Sequence, residues 1–356
     1  MNMPIKKLAA IFLISTLLFL AACSASPQTT TPSLATSAIT KEPTATAPTG
    51  TATLPPTASP PTTAELPTPQ ETSAPPMPAP ENAGVVRLYY YGSMVTGGDP
   101  ASASGPHNIY SATSNDGINF TEDPGVRFSY DSGAGFGITD PDVVQMNDGS
   151  WLMFISMGTS IIKATSPDSL GTFTRDSAFQ WNQGGVPGSY NFDGTIRTFV
   201  NHGRDIGAAV YDTASGSLQY SGIAISAPAV GSVESPSVIK IGNTYYMFYH
   251  YSPYVGAMPS THKIYMATSL DGITWSQHDA NRYICDGSVP GAVYYNGAIY
   301  VYHCGLLMVP GERADLGVAV SLDNGVTFTE YRILIKNKVM TGVVDPAAIV
   351  VDQKLE

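Results

Sequence analysis

One plan of about 50 residues recurs along the chain. Each copy must be one supersecondary unit that buries its apolar face against its neighbours, which restricts the fold more than composition does. Asp140 opens DPDVVQMNDGSWLMFISMG, continued by IIKATSPDSLGTFTRD. Glu234 opens ESPSVIKIGNTYYMFYHYS, continued by KIYMATSLDGITWSQHD. Val289 opens VPGAVYYNGAIYVYHCG, continued by LGVAVSLDNGVTFTEY. A looser copy opens at Asp193 with DGTIRTFVNHGRDIGAAVYDTASGSLQYSG. Each reads as strand, tight turn, aromatic strand, loop, third strand, second turn and fourth strand. Asp148-Gly149, Gly242-Asn243 and Asn296-Gly297 suit the first hairpin. A fifth copy is divided: DPAAIVVDQ at the C-terminus completes VVRLYYYGS and NIYSATSNDGINFTED. Joining these pieces predicts an all-β, five-bladed β-propeller over 85–356, closed by pairing the C-terminal strand with the N-terminal strands of the domain. Closure removes exposed sheet edges. A two-sheet sandwich is the competing fold, but it leaves the divided copy unexplained.

The segment before the repeats obeys different physics. Lys6 and Lys7 precede an apolar run from Leu8 to Ala22. That run is short of the roughly 20 residues of a bilayer span and suits the core of a signal peptide over 1–22. Its end, Leu20-Ala21-Ala22-Cys23, resembles a bacterial lipobox. The resemblance implies that Cys23 is acylated, anchoring an exported chain at the cell membrane or surface. Residues 23–84 are rich in Thr and Pro and hold half of the 28 prolines. Such a stretch buries no core and acts as a semi-rigid spacer.

Composition excludes several classes. Only 13% of residues are charged, and 17 Lys plus Arg stand against 28 Asp plus Glu. With no basic cluster in the domain, nucleic acid is excluded as a partner. Three cysteines are too few for a disulfide scaffold. Cys285 and Cys304 flank one hairpin, and the sequence leaves open whether they bridge. The Ser-x-Asp turns at Ser114, Ser269 and Ser321 look like the Asp boxes of sialidases and other propellers. They read as structural: the Asp accepts from its own turn and the Gly takes positive φ.

In a propeller the starts of the inner strands meet on one face. That geometry predicts that Asp345, Asp140, Asp193, Glu234 and the Val289-Pro290 region come together there. Four carboxylates at five positions, in so weakly charged a chain, are the main functional signal. For Asp140 the turn-forming and functional readings stand level. The second strands end at Ser93, Ser156, His202, His250 and His303. Loops over 93–107, 251–262 and 304–315 bring Tyr251, Tyr254, His262, Glu312 and Arg313 towards that face, and Arg197 is a further candidate contact. Carboxylates among aromatic rings suit a neutral, polyhydroxylated ligand.

At Glu234 a family resemblance becomes specific. Glu234-Ser235-Pro236-Ser237-Val238-Ile239, then Gly242 and Tyr245-Tyr246-Met247-Phe248-Tyr249, looks like the general-acid segment of glycoside hydrolase family 43 and its relatives in families 32, 62 and 117. The resemblance implies Glu234 as general acid and Asp345, in an Asp-Pro motif, as base, with Asp140 competing for that role. It also implies Asp193 as the third carboxylate, one blade before the acid. Ser156, His202, His250, His303, Tyr251 and Arg197 are the expected substrate contacts. The implied chemistry is inverting hydrolysis of arabinose- or xylose-type glycans. A monomer with no cofactor is expected, and no metal, because the fifth-blade position lacks the His that many family members place there. In inverting enzymes the two carboxyls lie roughly 6.5–9.5 Å apart. The alternatives are a non-catalytic glycan-binding propeller and, lower, a sialidase-like or phosphorolytic enzyme.

Overall fold

Strands covered on both faces read as continuous apolar runs rather than alternating ones. Trp151–Met157 and Ala298–Cys304 are such runs, and each lies second in its sheet, between two neighbouring sheets. The computed structural model describes residues 84–93, 107–131, 137–254, 261–277, 282–304, 315–340 and 342–351, all within the unit Glu71–Glu356. Cys23 and its linker, Glu312 and Arg313 lie outside the described residues, as does the side chain of Ser93.

The described residues form five antiparallel sheets. Blade 1 runs outward from Gly342–Val351 through Val85–Ser93 and His107–Ser114 to Thr121–Glu122 and Phe128–Tyr130. Blade 2 comprises Thr139–Gln145, Trp151–Met157, Ser160–Ser166 and Thr174–Trp181. Blade 3 comprises Gly185–Phe192, Thr195–His202, Asp205–Asp212 and Ser217–Ile225. Blade 4 comprises Ser232–Ile241, Thr244–Ser252 and Lys263–Ser269, with Ser276–Gln277 and Tyr283–Asp286 outermost. Blade 5 comprises Ser288–Tyr295, Ala298–Cys304, Leu316–Ser321 and Thr329–Ile333.

The five inner strands neighbour one another in a closed ring. Closure is made in blade 1, where Val85 pairs with Val351 and Ser93 with Gly342. The propeller and its divided blade are therefore as the repeats predict. Blade 3 departs from the sequence reading in one respect. Its inner strand is Gly185–Phe192, and Asp193-Gly194 is the hairpin turn that follows it, with Phe192 paired to Thr195.

The core is divided as the ring is, into one apolar cluster per blade interface. An edge-to-face aromatic pair marks each interface: Phe120–Tyr302, Phe173–Tyr89, Tyr211–Phe154, Trp275–Phe199 and Phe328–Phe248. Such pairs contribute about 0.5–1.5 kcal/mol each beyond their buried area. Phe120, Trp275 and Phe328 follow the Ser-x-Asp turns, and those turns are structural as expected. In each, the Asp carboxylate accepts backbone N–H groups of its own loop: Ile118 and Asn119 at Asp116, Ile273 and Thr274 at Asp271, Val326 and Thr327 at Asp323. The turns thus aim the aromatic wedges that join the blades.

Candidate active site

The five inner strands share a backbone device. Each carries a residue of positive φ immediately before a proline: Asp345-Pro346 (φ 56°), Asp140-Pro141 (47°), Val186-Pro187 (51°), Ser235-Pro236 (56°) and Val289-Pro290 (50°). The pairing register with the second strand breaks at each of them. A proline disfavours helical backbone before it, and β-branched residues rarely take positive φ. Val186 and Val289 are therefore strained, at a cost on the order of 1–3 kcal/mol each.

The surrounding structure enforces the strain by one repeated hydrogen bond. The N–H of the strained residue donates to a side chain on the second strand of the preceding blade. Val186 donates to Ser156 Oγ (3.2 Å), Ser235 to Asn201 Oδ1 (2.7 Å), Val289 to His250 Nδ1 (3.2 Å) and Asp345 to Cys304 Sγ (3.3 Å). At the fifth step Asp140 N–H lies 3.5 Å from Asp345 Oδ2. Two adjacent blades thus put Asp345 and Asp140 side by side. Between blades 3 and 4 and between 5 and 1 the inner strands approach closely. A Cβ on Gly188 would lie 1.8 Å from the Pro236 carbonyl oxygen, and one on Gly291 2.2 Å from that of Pro346.

Glu234 stands one residue before the strained Ser235, opposite His250 in its own blade. Blade 3 separates it from Asp140 on one side, and blade 5 from Asp345 on the other. Its Oε1 accepts from the Ser232 hydroxyl, and its Oε2 lies 3.7 Å from His250 Nε2. That distance is an electrostatic contact rather than a formed hydrogen bond. Val289 N–H occupies Nδ1, so the proton of a neutral His250 sits on Nε2 and faces the carboxylate. The His250 ring leads in holding the Glu234 pKa down at about 2, opposed by partial burial and aided by Ser232. A general acid ordinarily has a raised pKa, so the resting cradle favours the opposite, ionised form. His250 itself is stacked on His262, with ring centroids 4.6 Å apart.

The axial cavity, about 650 Å³, is lined by all five inner strands, including Asp140, Asp142 and Asp345. Asp142 follows Pro141 and is buried, and Ser189 of the next blade opposes the effect of that burial on its carboxyl. Burial dominates and pushes its pKa up to about 6. Two blades on, Ser237 holds the same position after its proline and bonds to the next inner strand, accepting from Ala292 N–H at 2.9 Å. Asp142 was not among the sequence-derived site residues.

Other expected contacts are distributed differently. Asp193 is not at this end. It lies in the turn at the far end of its inner strand, exposed, with Lys240 Nζ 3.7 Å away. The corresponding position in blade 3 is Val186, so one blade before Glu234 there is no carboxylate. Arg197 sits low in the second strand, paired with Tyr190 and near the Phe192 ring, towards the Asp193 end. Ser156 is buried, its hydroxyl accepting from Val186 N–H and donating to the Gly158 carbonyl, and so holds backbone rather than ligand. His303 is fully buried. His202 and Tyr251 do border the face: His202 donates from Nδ1 to the Gln183 carbonyl and stacks on Tyr220, and Tyr251 donates to the Val230 carbonyl. Asn201, the best-placed acceptor of the ring, was missed because His202 was aligned with His250 in its place. Cys285 and Cys304 are separate buried thiols, with no disulfide between them.

No protein-family model and no curated protein matches the chain. Solved structures do. An endo-1,4-beta-xylanase from Bacteroides thetaiotaomicron superposes with a TM-score of 0.50 at 19% identity, over 72% of this chain and 93% of that one. A structure described as a glycoside hydrolase gives 0.50 at 15% identity, over 74% of this chain and 63% of that one, so the chain spans less than two thirds of its length. A family 43 beta-1,3-galactosidase gives 0.48 at 14% identity, over 62% and 52%. The fold is thus the five-bladed propeller of solved glycoside hydrolases.

Proposed function

We propose that the chain is a glycoside hydrolase acting on a neutral polysaccharide or oligosaccharide at the proline-ring end of its propeller. What supports the reading is that Glu234 stands at the strained-proline end of its inner strand, two blades from Asp140 and two from Asp345, which lie side by side. Carboxyl groups on opposite sides of one sugar are what glycosidic cleavage requires: one protonates the leaving oxygen and another holds water on the far face. In this reading Glu234 is the acid, Asp345 the base, and Asp140 the neighbour that shares Asp345's site. The acid role requires bound sugar to displace the Ser232 hydroxyl and exclude water around Glu234, both of which raise a carboxyl pKa. The proposed substrates are arabinose- or xylose-type glycans. The proposed site of action is the cell surface, with the domain tethered through Cys23.

A second reading has its own support. The third-carboxylate position is occupied by Val186, and Glu234 is held ionised. Both features suit a propeller that binds glycan without cleaving it. One experiment separates the two. The chain, Glu234→Gln and Asp345→Asn are incubated with arabinans, xylans and aryl glycosides carrying a good leaving group. Under the enzyme reading both variants lose polysaccharide cleavage. Glu234→Gln keeps activity on the activated aryl glycosides, which need no acid. Glycan binding by all three proteins with no sugar released by any selects the receptor.

A further inference from the structure

Beside the interface of blades 4 and 5 lies a cluster that the proposed hydrolysis does not use. Cys285 comes from the outermost strand of blade 4, His303 from the second strand of blade 5 and Glu330 from the outermost strand of blade 5. One ligand atom from each lies within 4.8 Å of the others. Cys285 and His303 are buried, at 1% and 0% exposure, while Glu330 is partly open to solvent.

The histidine tautomer is the deciding detail. His303 Nδ1 lies 3.3 Å from the Cys304 carbonyl oxygen, so Nδ1 carries the proton and donates it there. The lone pair is then on Nε2. That atom is buried, has no hydrogen-bond partner among the described residues, and faces Glu330 Oε1 at 3.6 Å. A backbone carbonyl that fixes the ring and turns a bare nitrogen towards a thiol and a carboxylate is the usual outer-shell arrangement of a metal-binding histidine. Asp286, the next carboxylate along, is already engaged by Lys263 and Tyr283.

We infer that Cys285, His303 and Glu330 form a zinc site that pins blade 4 to blade 5. Thiolate, imidazole and carboxylate together suit Zn²⁺ rather than the all-oxygen cations. Tetrahedral ligands at 2.0–2.3 Å stand about 3.5 Å from one another. The His303–Glu330 separation of 3.6 Å already fits, and the Cys285 thiol lies within 4.8 Å of both. Binding converts Cys285 from thiol to thiolate and releases one proton. The fourth position faces the open side of Glu330 and takes water. The pin also steadies the strand carrying Cys304, whose Sγ receives Asp345 N–H.

The test uses the full chain, stripped with a chelator and titrated with Co²⁺ as a spectroscopic substitute for zinc. The expected result is a thiolate-to-cobalt charge-transfer band that saturates at one equivalent and is bleached by Zn²⁺. Zinc is also expected to raise the thermal midpoint, and a chelator to reverse the rise. Cys285→Ser and Glu330→Gln lose the band or weaken it at least tenfold in affinity, while Cys304→Ser keeps it. The absence of a band in the wild-type chain overturns the inference whatever the variants do. A band that persists in Cys285→Ser also overturns it, because the thiolate would then be another. Sugar release is scored separately, so failure here leaves the hydrolase reading standing.

Discussion

Blades 3 and 4 begin their inner strands with the same backbone and different chemistry. In both, a left-handed residue precedes a proline, and the blade before it supplies the acceptor for its N–H. Blade 4 places Glu234 just ahead of that residue, where blade 3 has Gly185. The strained dipeptide is therefore architecture, repeated wherever an inner strand meets its neighbours. An Asp or Glu near it is a separate choice, and in the proposed hydrolase that choice is what separates blade 4 from blade 3. Glu234→Gln breaks the comparison most directly by making blade 4 as inert as blade 3. It is expected to lower polysaccharide cleavage by roughly 10²–10⁴-fold, with the thermal midpoint little changed. Unchanged turnover would place the acid elsewhere.

The second largest effect concerns Asp142 and Ser237, which fill the same position of blades 2 and 4 with unlike groups. Burial raises the Asp142 pKa from 3.8 to about 6. A carboxyl whose folded pKa lies above its unfolded value binds its proton more tightly when folded. Stability therefore falls as pH rises from about 4 to about 6 and stays low above, by an order-of-magnitude 3 kcal/mol. Asp142→Asn removes this dependence. Its urea midpoint is expected to match wild type near pH 4 and exceed it near pH 7. Parallel pH profiles for the two proteins would show that Asp142 is not buried in this way.

The ring of N–H acceptors gives a graded series. Asn201→Ala leaves the strained Ser235 N–H without its 2.7 Å acceptor, a loss of about 1–3 kcal/mol. Ser156→Ala, with a 3.2 Å bond, is expected to cost less. Cys304→Ala is expected to lose least by this route, since thiol sulfur is a weak acceptor. Thermal midpoints in that order support the ring, and equal midpoints would mean that the prolines alone impose the strain.

Much of the fold is legible in the sequence, and what is not legible has physical causes. Hairpin turns and aromatic strands exposed the repeat, and the divided copy exposed closure. The error in blade 3 came from aligning copies on their acidic openings. Val186-Pro187-Gly188 repeats Val289-Pro290-Gly291 letter for letter. Aligning on that tripeptide makes Gly185–Phe192 the inner strand and Asn201 the partner of Cys304. The positive φ of a residue before proline is invisible to propensity, which argues against it. The ionised state of Glu234 depends on which nitrogen of His250 is occupied by a neighbouring blade, and no spacing along the chain records that. The Cys285, His303 and Glu330 cluster escaped notice because its members come from three strands of two blades.

The smallest expected effect tests the corrected end of blade 3. Asp193 was grouped with the catalytic carboxylates on sequence, but it sits in a hairpin turn with its side chain 89% exposed. Its positive φ of 49° is one that asparagine adopts as readily. Its ionic partner, Lys240 at 3.7 Å, is also held over the Tyr245 ring. Exposed pairs of this kind contribute little. Asp193→Asn is therefore expected to leave both the thermal midpoint and polysaccharide cleavage at wild-type values, across the pH range in which Glu234→Gln has lost that cleavage. A loss of turnover comparable to that of Glu234→Gln would move the reacting centre to the turn end of the axial cavity, beside Arg197, and the strained prolines would then mark only the opposite, structural mouth.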